Sequence, residues 1–130
     1  MFNKITIIGC GLIGSSLLRA ISKRKLSKQI NAFDKSKDVS SFIKNNLSVN
    51  VCNDIKESVE DSDLVIISTP LSSYKEILLS IKSSLKKNVI LTDTGSTKKE
   101  ANKIISNLNL KDVCWIASHP IAGTEYSGPE

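Results

Sequence analysis

A chain of 130 residues with 40% hydrophobic and 24% charged residues has the make-up of one ordinary globular domain, and it excludes a disordered chain. The net charge of +5 is spread over short groups such as Lys23-Arg24-Lys25, Lys86-Lys87 and Lys98-Lys99, which reads as a solvated surface and not as a nucleic-acid-binding arm. Cys10, Cys52 and Cys114 have no CxxC spacing, which argues against a disulfide framework and a zinc site, and every apolar run is too short to span a bilayer.

The cysteine usage implies a reducing compartment, the cytoplasm, and no secretory signal is visible ahead of the first apolar run. Lying in or beside predicted strands, all three cysteines are expected to be small buried hydrophobes.

Taken in order, the pattern alternates strand and helix. Ile5 to Ile8 is a β-branched run closed by Gly9 and predicts a first strand. A helix follows from Ile13 to about Lys23, with Leu17, Leu18 and Ile21 on one face. Ile30 to Phe33 predicts a second strand ended by Asp34, Ser40 to Asn46 a helix, Val49 to Val51 a third strand, and Asp54 to Val59 a short helix. Leu64 to Ile67 is apolar throughout, as expected of a strand buried on both faces. Ser72 to Leu85 carries Tyr74, Ile77, Leu78, Ile81 and Leu85 at helical spacing. Val89 to Thr92, Lys98 to Leu108 and Val113 to Ala117 complete the series as strand, helix and strand. Strands joined by helical crossovers pair in parallel, so residues 1–130 are expected to form one doubly wound α/β domain.

Gly9-Cys10-Gly11-Leu12-Ile13-Gly14 is a GxGxxG that leaves an apolar strand and opens an amphipathic helix, the context in which this motif binds a dinucleotide. Gly9 permits the tight turn, Gly11 lets backbone approach a pyrophosphate, and Gly14 lets the helix pack closely. With Leu12 and Ile13 they put unpaired N–H groups of a helix N-terminus toward the phosphates. Asp34 ends the next strand twenty residues after Gly14, where a carboxylate accepts the adenine-ribose hydroxyls and favours NAD over NADP. Lys35 beside it softens that discrimination.

Ligands in an open parallel sheet bind beyond the carboxyl ends of the strands. The other unusual residues fall at those ends: Thr69 and Pro70 after the fourth predicted strand, Thr94, Gly95 and Ser96 after the fifth, and His119 after the sixth. Ser96 or Thr97 also suits the N-cap of the following helix. His119 is the one histidine of the chain and the natural candidate for proton transfer near neutral pH.

The stretch from Ser118 to Pro129, SHPIAGTEYSGP, closely resembles the HPxAGxExSG signature of prephenate and arogenate dehydrogenases. Asp93 to Lys98 resembles that family's DxGSxK segment, and Gly9 to Ser16 is similar to its GxGLIGGS opening, with Ser15 in place of a glycine. The resemblance implies a Rossmann-type domain and NAD-dependent oxidative decarboxylation of prephenate to 4-hydroxyphenylpyruvate, or of arogenate to tyrosine. On that pattern His119 is the general base on the ring hydroxyl and Ser96 positions that hydroxyl or His119. Gly123, Thr124 and Glu125 support the substrate pocket, and Thr69, Pro70, Thr94 and Gly95 lie on the cofactor side. No metal is implied, nor a nucleic-acid or membrane partner. The family continues into a helical second domain that forms a homodimer and completes the substrate pocket. This sequence, ending at Glu130, is therefore expected to be a truncated form that binds dinucleotide without a full pocket. A non-catalytic dinucleotide-binding fragment is the alternative outside enzymology.

Overall fold

The computed structural model describes residues 1–95 and 97–117. Among them, β1 (Phe2–Ile8), α1 (Leu12–Arg24), β2 (Ser27–Phe33), α2 (Lys37–Asn46), β3 (Asn50–Val51), α3 (Ile55–Val59), β4 (Leu64–Ile67), α4 (Tyr74–Ile81), β5 (Val89–Asp93), α5 (Lys98–Leu108) and β6 (Val113–Ile116) follow in order. The strands form one sheet in the order β3-β2-β1-β4-β5-β6, and every pairing is parallel. This is the doubly wound α/β architecture expected from the alternation of elements. The chain runs outward from β1 to β3, then crosses back to β4 on the other side of β1, so the strand order reverses between β1 and β4. Helices leaving β1 and β4 diverge there and open a crevice at the carboxyl edge.

Side chains alternate across the sheet and build two cores. Ile5 and Ile7 of β1 pack with Leu18 and Ile21 of α1, Ile43 of α2 and Ile66 of β4. Ile8, Val65, Ile67 and Leu91 face the other way, against Val59 of α3, Tyr74, Leu78 and Ile81 of α4, and Ala101 of α5. Leu18, Leu78, Ile81, Val65 and Ile67 have no exposed surface. Burying each such side chain stabilises the fold by about 1.5–3 kcal/mol.

Several elements differ from their apolar runs. β1 begins at Phe2 and β2 at Ser27, because Phe2 pairs with Ser27 and Lys4 with Gln29 through main-chain groups that need no apolar side chain. α2 begins at Lys37, where the Ser36 hydroxyl accepts from the Val39 N–H. α4 is shorter than its periodicity, running only from Tyr74 to Ile81 after a 3₁₀ turn over Leu71–Ser73. Leu85 still packs on the core from beyond the helix end, so a turn reproduces the spacing of a helix. Cys10 and Cys52 are buried as expected, but Cys114 is exposed. It lies on edge strand β6, two strands beyond Ile66 of β4, the last strand that contributes to the core under α1 and α2.

Candidate functional site

The turn after β1 is held on three sides. Gly9 adopts φ +95°, and its N–H donates to the Phe33 carbonyl at 2.8 Å. A Cβ on Gly9 would stand 2.7 Å from the Ser68 carbonyl oxygen, so β4 presses directly on the turn. The Cys10 N–H donates to Asp34 Oδ2 at 2.8 Å, and the other carboxylate oxygen accepts from the Ser36 N–H at 2.8 Å. Asp34 thereby joins the end of β2, the glycine turn and the approach to α2.

The glycines do different things. A Cβ on Gly14 would fall 1.9 Å from the Gly9 carbonyl oxygen, so the first turn of α1 lies against the loop that precedes it. A Cβ on Gly11 would meet nothing within 4 Å. Gly11 is also the N-cap of α1; it offers no side-chain acceptor, and no acidic residue stands in the first turn. The helix thus opens toward free space with its first N–H groups uncapped and its positive dipole end unopposed by a carboxylate of that turn. This arrangement fits the diphosphate of a dinucleotide.

A cavity of about 290 Å³ lies beside this turn. Of the residues singled out from the sequence, Gly9, Gly11, Asp34, Thr69 and Pro70 line it. Leu12, Ile13 and Gly14 sit at its edge on α1 without lining it, Leu12 and Ile13 with exposed side chains. Thr94 and Gly95 belong to the same rim but not to the cavity wall. Thr94 reaches it indirectly, its hydroxyl donating to Ser68 Oγ at 3.1 Å and its N–H to the Ile67 carbonyl. Ser68, beside Thr69 at the same strand end, lines the cavity too, while sequence reasoning passed over Phe33, Ile55 and Ile77 as wall residues. Ile77 carries helical core spacing and so looked like a packing residue alone. Ser96, His119, Gly123, Thr124 and Glu125 lie outside the described residues.

The carboxyl end of β5 is organised by a buried charge. Asp93 has no exposed surface. It accepts from the Tyr74 hydroxyl at 2.6 Å, from Lys98 Nζ at 2.7 Å and from the Gly95 N–H at 3.1 Å. Burial and then the Asp93 carboxylate push the Tyr74 phenol up from its ordinary value, so it remains a donor. A Cβ on Gly95 would approach Tyr74 Oη to 2.6 Å, which leaves this turn only a glycine-sized opening. Burial, then the nearby Asp34 charge, push the Cys10 thiol up to about 12, which disfavours its thiolate form.

Residues 17–130 match the family model described as prephenate dehydrogenase, nucleotide-binding domain. This chain belongs to the prephenate dehydrogenase family. Within it, the chain is 38% identical over its whole length to a cyclohexadienyl dehydrogenase of Zymomonas mobilis, of which it covers 44%. It is 33% identical over 96% of its length to a prephenate dehydrogenase of Lactococcus lactis, of which it covers 36%. The chain therefore spans less than half the length of these curated relatives. The same fold recurs in the prephenate dehydrogenase of A. aeolicus solved with hydroxyphenyl propionate and NAD+, at a TM-score of 0.80 and 23% identity over 95% of this chain and 43% of that one. A 3-hydroxyisobutyrate dehydrogenase of Mycobacterium tuberculosis shares it at a TM-score of 0.81 and 15% identity, over 92% of this chain and 40% of that one. The fold of this nucleotide-binding domain is thus shared beyond the prephenate dehydrogenases.

Proposed function

We propose that this chain is the NAD-binding part of a dehydrogenase of tyrosine biosynthesis, which converts prephenate to 4-hydroxyphenylpyruvate with loss of CO₂. The observation that carries the reading is the uncapped start of α1 at Gly11, open to the cavity beside Asp34. Gly9, Gly11, Leu12, Ile13 and Gly14 hold the diphosphate, and Asp34 accepts from the adenine-ribose hydroxyls through lone pairs that its backbone donors leave available. Thr69, Pro70, Thr94 and Gly95 line the approach to the nicotinamide. That ring, when bound, supplies the hydride acceptor.

His119 takes the proton of the substrate's ring hydroxyl, a transfer that lets the carbinol carbon give up its hydride. Ser96 orients that hydroxyl or the imidazole, while Gly123, Thr124 and Glu125 shape the pocket mouth. A helical second domain completes the pocket and the homodimer in the cytoplasm. Arogenate is the second reading for the substrate, since it has the same cyclohexadienol ring, and the relative from Zymomonas mobilis is named for that ring and not for a side chain.

The test is a binding isotherm for NAD followed by an assay of NAD reduction with prephenate and with arogenate. Reduction with one and not the other assigns the substrate. The reduction assay belongs on a form that carries the second domain, and NAD binding without reduction by either substrate in that form removes the enzymatic reading.

A further inference from the structure

Helix α3 has five residues, too few for a helix to persist on its own backbone bonds. It nevertheless carries Ile55, which forms part of the wall of the cavity beside the glycine turn. A row of polar side chains on the sheet seats it. Asn50 of β3, Asn31 of β2 and Thr6 of β1 are neighbours at one level of the sheet. Asn50 Nδ2 donates to Asn31 Oδ1 at 3.0 Å, and Asn31 Nδ2 donates to the Ser58 carbonyl at 3.0 Å. The Thr6 hydroxyl donates to the same carbonyl at 2.5 Å. Its one proton is then used, so the Ser62 hydroxyl, 2.7 Å away, donates to Thr6 Oγ1. The Ser58 hydroxyl in turn donates to the Ile55 carbonyl at 2.6 Å. A chain of hydrogen bonds thus runs from the sheet to the residue on the cavity wall, and Thr6, Asn31, Ser58 and Ser62 within it are all buried.

We propose that Thr6 and Asn31 are positioning residues for the cofactor: neither lines the cavity, but through Ser58 they fix α3 and the Ile55 side of the wall. This role rests on the dinucleotide reading above. The last carbonyls of a helix have no partner within it, and here two side chains of the sheet serve one of them. A buried polar layer whose members are satisfied selects one seating of the helix, whereas apolar side chains alone would let it shift along the sheet. Apparent affinity scales with the fraction of molecules in which the site is already formed, so a looser α3 weakens binding without removing any group that touches the ligand.

The experiment measures NAD+ isotherms and urea unfolding for the chain and for Thr6→Val, Thr6→Ser and Val89→Ala. Thr6→Val keeps the shape of the side chain and removes the hydroxyl, and Thr6→Ser keeps the hydroxyl. Val89, buried on β5 and outside the cavity wall, is the control for lost stability alone. Thr6→Val is expected to bind NAD+ on the order of tenfold more weakly, with Thr6→Ser and Val89→Ala within about twofold of the parent. Parent-like affinity in Thr6→Val overturns the proposal and leaves the dinucleotide reading standing. So does a Val89→Ala variant that weakens as much as Thr6→Val, since the hydroxyl would then serve stability alone. If Thr6→Val does not fold, Asn50→Ala decides, because Asn50 is exposed and joins the row at its outer end. A loss of about fivefold in NAD+ affinity is expected there, and unchanged affinity overturns the proposal. A parent that binds no NAD+ overturns the dinucleotide reading and this role together.

Discussion

The carboxylate of Asp34 accepts the Cys10 N–H at 2.8 Å, and this single bond makes the end of β2 and the glycine turn after β1 one mechanical unit. The same side chain holds Ser36, where α2 begins. A residue expected from the sequence to touch ribose therefore also shapes the glycine loop proposed to hold the diphosphate. Replacing Asp34 by Asn removes the charge and one of its two backbone acceptors. NAD affinity should fall about tenfold, as for the loss of a charge-assisted hydrogen bond, and the preference should move toward NADP. Parallel isotherms for the two cofactors check this, and an unchanged ratio would move the discrimination away from Asp34.

Gly14 and Gly11 should separate stability from binding. Gly14→Ala drives a methyl into the Gly9 carbonyl oxygen at 1.9 Å, so the turn or the helix has to move. A loss of about 1–3 kcal/mol is expected, as for other overpacked sites. Gly11→Ala meets no atom within 4 Å and should change stability by less than about 1 kcal/mol, yet it places a methyl where the cofactor's phosphates approach. Denaturant unfolding and NAD isotherms should therefore show Gly11→Ala losing binding at near-parent stability, and Gly14→Ala losing stability.

The buried Asp93 predicts unequal losses among its partners. Lys98→Ala removes the cation from a carboxylate with no exposed surface, and about 3 kcal/mol of stability should go with it. Tyr74→Phe keeps the ring and removes one donor, while Lys98 and the Gly95 N–H still serve the carboxylate, so about 1–2 kcal/mol is expected. Equilibrium unfolding of the two variants measures both, and equal losses would mean that the tyrosine hydroxyl carries as much as the charge.

Asp63 links the first strand to the segment before β5. Its carboxylate accepts from Lys86 and from the Asn3 and Lys4 N–H groups, and these bonds, that from Lys86 foremost, hold it below the usual carboxylate range. A group depressed in the folded state contributes stability that is present above its unfolded pKa, about 3.9, and is lost as pH falls through the folded value. Asp63→Asn should thus be less stable than the parent at neutral pH, with the gap closing below about pH 4. Urea midpoints across that range test the sign; a gap that widened in acid would contradict it.

His119→Ala, measured in a form that turns over substrate, should lower turnover by a factor on the order of 100 or more with cofactor affinity little changed. Turnover within a few-fold of the parent would make His119 a structural residue.

Periodicity and local chemistry made much of this protein legible from its sequence. The alternation of apolar strands with amphipathic helices already required a parallel, doubly wound sheet, and Gly9, Gly11, Gly14 and Asp34 were readable because their roles depend on residue type and short spacing. Those signals are local: a turn, a cap or a helical face is set by neighbours a few residues away.

What the tertiary structure decided comes from segments distant in sequence. Only the pairing of β1 with both β2 and β4 puts Ser68 against Gly9 and brings Ile55 and Ile77 into the cavity wall. Only the packing of α4 on β5 brings the Tyr74 hydroxyl to Asp93, nineteen residues further on. Pairing with β2 extends β1 back to Phe2, because backbone hydrogen bonds form wherever two strands run together, whatever their side chains. The chain's own pattern determined which elements form and which turn is the one proposed to meet a phosphate. Contacts between strands and helices far apart in sequence determined the walls around that turn, since a side chain's neighbours in space depend on how the whole sheet is ordered.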